Sequence, residues 1–69
     1  MSPRLRALSF RALRFWVSEP AKVRLVVNGH ALVANVLAGD FSFRHGRVRE
    51  VRISAQDGAG NVSRTVRFP

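Results

Sequence analysis

The sequence predicts an all-β chain folded as a small antiparallel β-sandwich. Three observations point there. Apolar and polar residues alternate in several separate runs, the period of a strand with one face in a core and one in water. Proline, glycine, asparagine and aspartate interrupt those runs at short intervals, the punctuation of sandwiches and barrels. Hydrophobic residues make up 46% of the chain, enough for a packed core and too many for a disordered segment.

Residues 1–12 are an N-terminal segment or a first strand. Leu5 and Ala7 alternate with arginines as a strand would. Ser2-Pro3 is also a fair helix start, with Leu5, Leu8, Ala12 and Leu13 at helical spacing. The strand fits the rest of the chain better, and the short stretch from Arg4 to Ala12 points to a truncated one. In the second strand, residues 13–18, Leu13, Phe15 and Val17 face inward and Arg14, Trp16 and Ser18 outward. Glu19-Pro20 ends this run, because proline fixes φ and removes a ladder donor. In residues 22–27, Val23, Leu25 and Val27 form the inner face. Asn28-Gly29 follows, and both residues tolerate the positive φ of a two-residue type I′ turn. That turn sets a register: Val27 faces His30, Leu25 faces Leu32 and Val23 faces Ala34, with residues 31–36 as the return strand. The other side of this hairpin carries Arg24, Val26, Ala31, Val33 and Asn35. Ala38-Gly39-Asp40 and His45-Gly46 bracket a strand at 41–44 around Phe41 and Phe43. Residues 50–56 form the next strand, with Val51, Ile53 and Ala55 inward. Asp57-Gly58-Ala59-Gly60-Asn61 is a loop. In the last strand, 62–68, Val62, Val66 and Phe68 alternate with Ser63, Thr65 and Arg67, and Arg64 breaks the pattern.

Length and composition bound the rest. A chain of 69 residues is one domain and buries only about 60% of its unfolded surface. With no cysteine, it has neither a disulfide nor a thiolate metal site. No apolar run approaches the length of a membrane-spanning helix. Leu5, Leu8 and Phe10 are interrupted by arginine and serine, so no signal-peptide core is expected in this stretch. Net charge is +8, from 12 basic residues of which only Lys22 is lysine. Such a balance suits polyanions such as nucleic acid, anionic lipid or acidic wall polymers. The arginines run from Arg4 to Arg67 without a run of five basic residues. An evenly charged, solvated surface is therefore the first reading.

Two motifs carry a family resemblance. The stretch from Leu13 to Leu25 places Ser18-Glu19-Pro20-Ala21 between two alternating strands. The stretch Ala55-Gln56-Asp57-Gly58-Ala59-Gly60-Asn61-Val62-Ser63 follows an Ala-x-Asp-x-Ala-Gly-Asn-x-Ser pattern. Together, and with Gly39, Phe41 and Phe43 between them, they resemble bacterial immunoglobulin-like and fibronectin-III-like modules over residues 13–69. The resemblance implies an immunoglobulin-like sandwich that serves as a non-catalytic spacer or docking module. Its setting would be a larger secreted or cell-surface protein, and its partner the neighbouring domain. The chain departs from the pattern in being short against the roughly 100 residues of an immunoglobulin domain.

Few residues are candidates for chemistry. Asp57, Asn61 and Asp40 suggest calcium ligands, but calcium wants six to eight oxygens and the chain holds 4 acidic residues in all. The preferred reading is that Asp57 and Asn61 bond their own backbone as turn formers. His30 and His45 lack a third metal ligand, so no metal and no cofactor is expected. Glu19, Asp40, Glu50 and Asp57 fall on separate elements with no catalytic motif around them, so no enzyme is expected. Trp16 is placed outward beside Arg14, where its ring suits a base or a sugar; packing against the first strand or a neighbouring domain is the preferred reading. Val26 and Val33, with Arg24, form a second contact surface, or a set of ordinary half-exposed valines. The rival to the spacer reading is a small basic barrel that binds nucleic acid or another polyanion through its arginines and Trp16. A third reading makes Arg4 to Trp16 a cationic amphipathic segment that attaches to anionic membranes.

Overall fold

The computed structural model describes residues 2–69, and within them every regular element is a strand. In chain order these are β1 (Leu5–Ser9), β2 (Arg14–Val17), β3 (Ala21–Val27), β4 (His30–Val36), β5 (Gly39–Ser42), β6 (Val51–Gln56) and β7 (Val66–Phe68). They make two antiparallel sheets, one ordered β1-β2-β5 and the other β4-β3-β6-β7. The architecture is that of a small β-sandwich. Met1 lies outside the described residues.

One core joins the sheets. Leu13, Phe15 and Val17 supply it from the smaller sheet, and Val23, Leu25, Val27, Val51, Ile53 and Ala55 from the larger. All were expected inward from the period of two. Phe15 sits edge-on to Phe10 at 6.3 Å between ring centroids and leans on Phe41 at 5.8 Å. Such pairs add about 0.5–1.5 kcal/mol beyond the area they bury. Phe41 and Phe43 are half-buried against the same core, so these rings build the interior.

The Asn28-Gly29 hairpin has the expected register: Val27 pairs with His30, Leu25 with Leu32 and Val23 with Ala34. Asn28 and Gly29 take φ of 50° and 84°, the left-handed pair of a type I′ turn. Leu13 also takes positive φ, 48°, where a side chain costs about 1–3 kcal/mol. Complete burial of its isobutyl group returns about 1.5–3 kcal/mol, so the residue is held in place by the core.

The N-terminal segment is a strand, as preferred from sequence, and not the alternative helix. β1 pairs along β2 from Leu5↔Val17 to Ser9↔Arg14, and β-pairing wins because Leu5 and Ala7 then reach the core side. Two other expectations need correction. Strand 13–18 begins at Arg14, since Leu13 closes a turn by donating its N–H to the Phe10 carbonyl at 3.3 Å. The last strand is not continuous over 62–68. Val62 makes only an isolated bridge with Gln56, and regular pairing resumes at Ile53↔Val66. The register slips by one residue between them, which exchanges the faces. Ser63 is therefore buried and Val62 is 54% exposed, the reverse of the expected order. The break in alternation at Arg64 marks this slip.

Candidate functional site

The residues singled out from sequence fall on two opposite faces. Arg14 and Trp16 alternate with the buried Phe15 and Val17, so they lie on the outer side of β1-β2-β5. Arg24 and Val26 alternate with buried Leu25 and Val27, and Val33 pairs with Arg24. Those three lie on the outer side of β4-β3-β6-β7. The core stands between the two groups, and they do not form one site.

On the first face the register sets Arg6, Trp16 and Asp40 side by side. The Arg6 guanidinium lies 5.8 Å above the centre of the Trp16 ring, a cation–π contact worth about 0.5–1 kcal/mol when exposed. Trp16 is half-buried. Arg4, Arg6 and Arg64 share a shallow hollow with it. Arg14 reaches Asp40 at 3.5 Å. Both side chains are open to solvent, so the pair adds little stability. Among the described residues it is the one ion pair, which leaves Arg4, Arg6 and Arg64 without carboxylate partners. Arg6 and Arg64 escaped the sequence reading. Arg6 was legible in principle, because alternation with Leu5 and Ala7 puts it outward. That it crosses to Trp16 follows only from the β1–β2 register.

The second face is cationic and apolar together. Arg24 is flanked by Val33 and Ser54, and Val26 by Ala31 and Arg52; Arg52 in turn pairs with Arg67. Lys22 lies on the same side. No strand residue of this face is acidic. β4 is the outermost strand here, and three strands facing four leave it poorly covered. Leu32 points toward the core side yet is 45% exposed, and Leu37, just past the strand, is 81% exposed; Val33, on the outer side, is 62% exposed.

The two turns of interest are structural. The Asn28 carboxamide accepts from the N–H groups of Arg49 and Glu50 at 2.7 and 3.1 Å and donates to the Arg47 carbonyl at 2.8 Å. It ties the β3–β4 turn to the segment that enters β6, a role its position in an Asn-Gly pair does not reveal. The Asp57 carboxylate accepts from the N–H groups of Ala59 and Asn61 and from the Asn61 side chain, at 2.8–3.0 Å. The Asn61 side chain first, then these backbone donors, hold the Asp57 carboxyl below the ordinary aspartate value. Its oxygens are thus engaged inside the loop, as a turn former's would be. No group of three or more metal-ligating side chains occurs among the described residues, and no helix there is long and apolar enough to cross a membrane.

No protein-family model matches the chain, and no curated protein or solved structure matches it either.

Proposed function

We propose that this chain is a non-catalytic, immunoglobulin-like module of the fibronectin-III kind, which spaces or docks a neighbouring domain in a larger secreted or cell-surface protein. The strand order carries the reading. Lettered in chain order as A, B, C, C′, E, F and G, the sheets are A-B-E and C′-C-F-G. Immunoglobulin sandwiches likewise place A, B and E in one sheet, and C, F and G in the other, with C′ added beside C in the variable type. The two sequence motifs fall at matching places: Ser18-Glu19-Pro20 links B to C across the sheets, and the Asp57 loop joins F to G. Fold alone does not fix function, so the docking role stands on surface chemistry, the cationic outer faces and the poorly covered β4.

A second reading is favoured by one observation, the Arg4, Arg6 and Arg64 side chains grouped at Trp16. These suit a polyanion, with the indole stacking on a base or sugar and the guanidinium groups on phosphates or sulfates. Trp16 fluorescence separates the two. The folded domain is titrated with oligonucleotides, with acidic wall polymers and with the domain adjoining it in its parent chain. A shift with the neighbouring domain alone supports docking on this face. A saturable shift with a polymer at physiological salt promotes the second reading.

A further inference from the structure

We infer that β4 is a docking edge: an extended, acidic, β-forming segment of a partner protein adds to it as a fifth strand of the larger sheet. This rests on the docking half of the reading above, as opposed to a bare spacer. Exposed sheet edges are usually protected by shortness, charge, proline or a bulge. Three of the four edges here are. β1 carries Arg6 and a register shift between Ala7 and Ser9. β5 is four residues long and holds Asp40. β7 is three residues long, holds Arg67 and is followed by Pro69. β4 is seven residues long and contains no proline and no Lys, Arg, Asp or Glu. It pairs with β3 without a break from Val27↔His30 to Ala21↔Val36.

The turn fixes which backbone groups face outward. A two-residue type I′ turn closes on a hydrogen-bonded pair, Val27 and His30, and antiparallel pairs alternate thereafter. Ala31, Val33 and Asn35 therefore point their N–H and C=O groups away from β3, in the spacing an incoming strand needs. The exposed Leu32 and Leu37 supply apolar contact for it.

Charge selects the occupant. The outer positions of β4 are short side chains, and behind them stand Lys22 and Arg24 on β3. Strands lie about 4.8 Å apart, so an added strand runs about 10 Å from β3. An arginine reaching over Val33 meets a glutamate reaching back from that distance. A second copy of this chain would bring another +8 to the same edge, so a partner with outward acidic residues is the better fit.

The test uses the isotope-labelled domain and a soluble synthetic peptide of alternating valine and glutamate, with a valine–lysine peptide as control. The expected result is slowed amide exchange at Ala31, Val33 and Asn35 with the glutamate peptide alone, weakening as salt screens the charges. Val33→Pro removes an outward donor without breaking the β3 ladder, a place where strands tolerate proline. It should stay folded and lower affinity at least about tenfold. Arg24→Glu should weaken the glutamate peptide and favour the lysine one. Should the proline variant unfold, the exchange pattern of the unmutated domain still decides. Protection at another edge, no protection at millimolar peptide, or a peptide-free dimer that protects β4 would each overturn the inference. Docking of the parent's neighbouring domain with β4 amides unprotected would sink the edge and leave the module reading standing. If neither that domain nor the peptide perturbs any amide, both fail.

Discussion

Phe15 and Trp16 are adjacent in sequence and opposite in environment, so they should answer truncation differently. Phe15 is fully buried, and Phe15→Ala should cost about 3–5 kcal/mol in a denaturant titration, a large part of a small domain's stability. Trp16 rests on the surface under Arg6, and Trp16→Ala should cost far less; unfolding by that change would place the ring in the core instead. The Asn28-Gly29 turn separates into two effects. A Cβ at Gly29 meets nothing within 4 Å, so Gly29→Val acts through φ alone and should cost about 1–3 kcal/mol. Asn28→Gly keeps the left-handed backbone but removes three hydrogen bonds to residues 47–50, and should also lose about 1–3 kcal/mol. A neutral Asn28→Gly would show that the carboxamide does not hold the β6 entry. Asp57 has a folded pKa below its ordinary value. Its contribution is therefore present above that ordinary value and lost as pH falls through the folded one. Asp57→Ala should flatten the acid limb of the stability curve there and leave it parallel at neutral pH.

At the β6–β7 edge, Ser63 replaces a stretch of regular ladder. Its N–H donates to the Ala55 carbonyl at 2.7 Å, and its hydroxyl oxygen accepts from the Ala55 N–H at 2.8 Å. Ser63→Ala would leave that buried N–H unpaired, at a cost of about 1–3 kcal/mol. Val62→Ala, on an exposed residue, should stay within about 0.5 kcal/mol; the opposite ranking in thermal melts would mean that 62–68 is the continuous strand expected from alternation. This pair also shows where sequence reading stops. β2, β3 and β6 were legible with their inner faces, because each buries two or more alternating apolar residues that any slip would expose. The β3–β4 register was legible because Asn-Gly dictates its own turn. β7 was not, because a one-residue slip leaves no mark on composition beyond the misfit of Arg64. Exposure of the inner side of β4 was hidden for a different reason: Leu32 looks like a core residue, and only the three-against-four sheet count uncovers it. The candidate residues were placed on the correct sides of their strands. That Trp16 and Arg24 lie on opposite sides of the molecule depends on which strands share a sheet, which local pattern does not encode.

Over the whole molecule the positive charge is spread. Arg6 and Arg14 cover one sheet, Lys22, Arg24, Arg52 and Arg67 the other, and Arg44, Arg47 and Arg49 lie in the β5–β6 connection. The shortest extent of the molecule is 18 Å, more than the Debye length of about 8 Å at physiological salt, so a polyanion on one face is largely screened from the other. Attraction to duplex DNA should then be weak, indifferent to sequence and steeply lowered by salt, since counterion release drives it. The faces can be told apart by paired variants. Arg6→Ala with Trp16→Ala strips one face, and Arg24→Ala with Arg52→Ala strips the other. If binding is spread electrostatics, the loss should follow the charges removed, one in the first pair and two in the second, and the free-energy losses should add when all four are combined, because the sites are separated by the core and share no partners. If Trp16 is a stacking platform, the first pair should abolish most of the binding, the second should change little, and the difference should persist at high salt, where stacking survives and phosphate contacts fade. Sequence-selective binding that survives physiological salt and vanishes with Trp16 would replace the docking module with a polyanion-binding one.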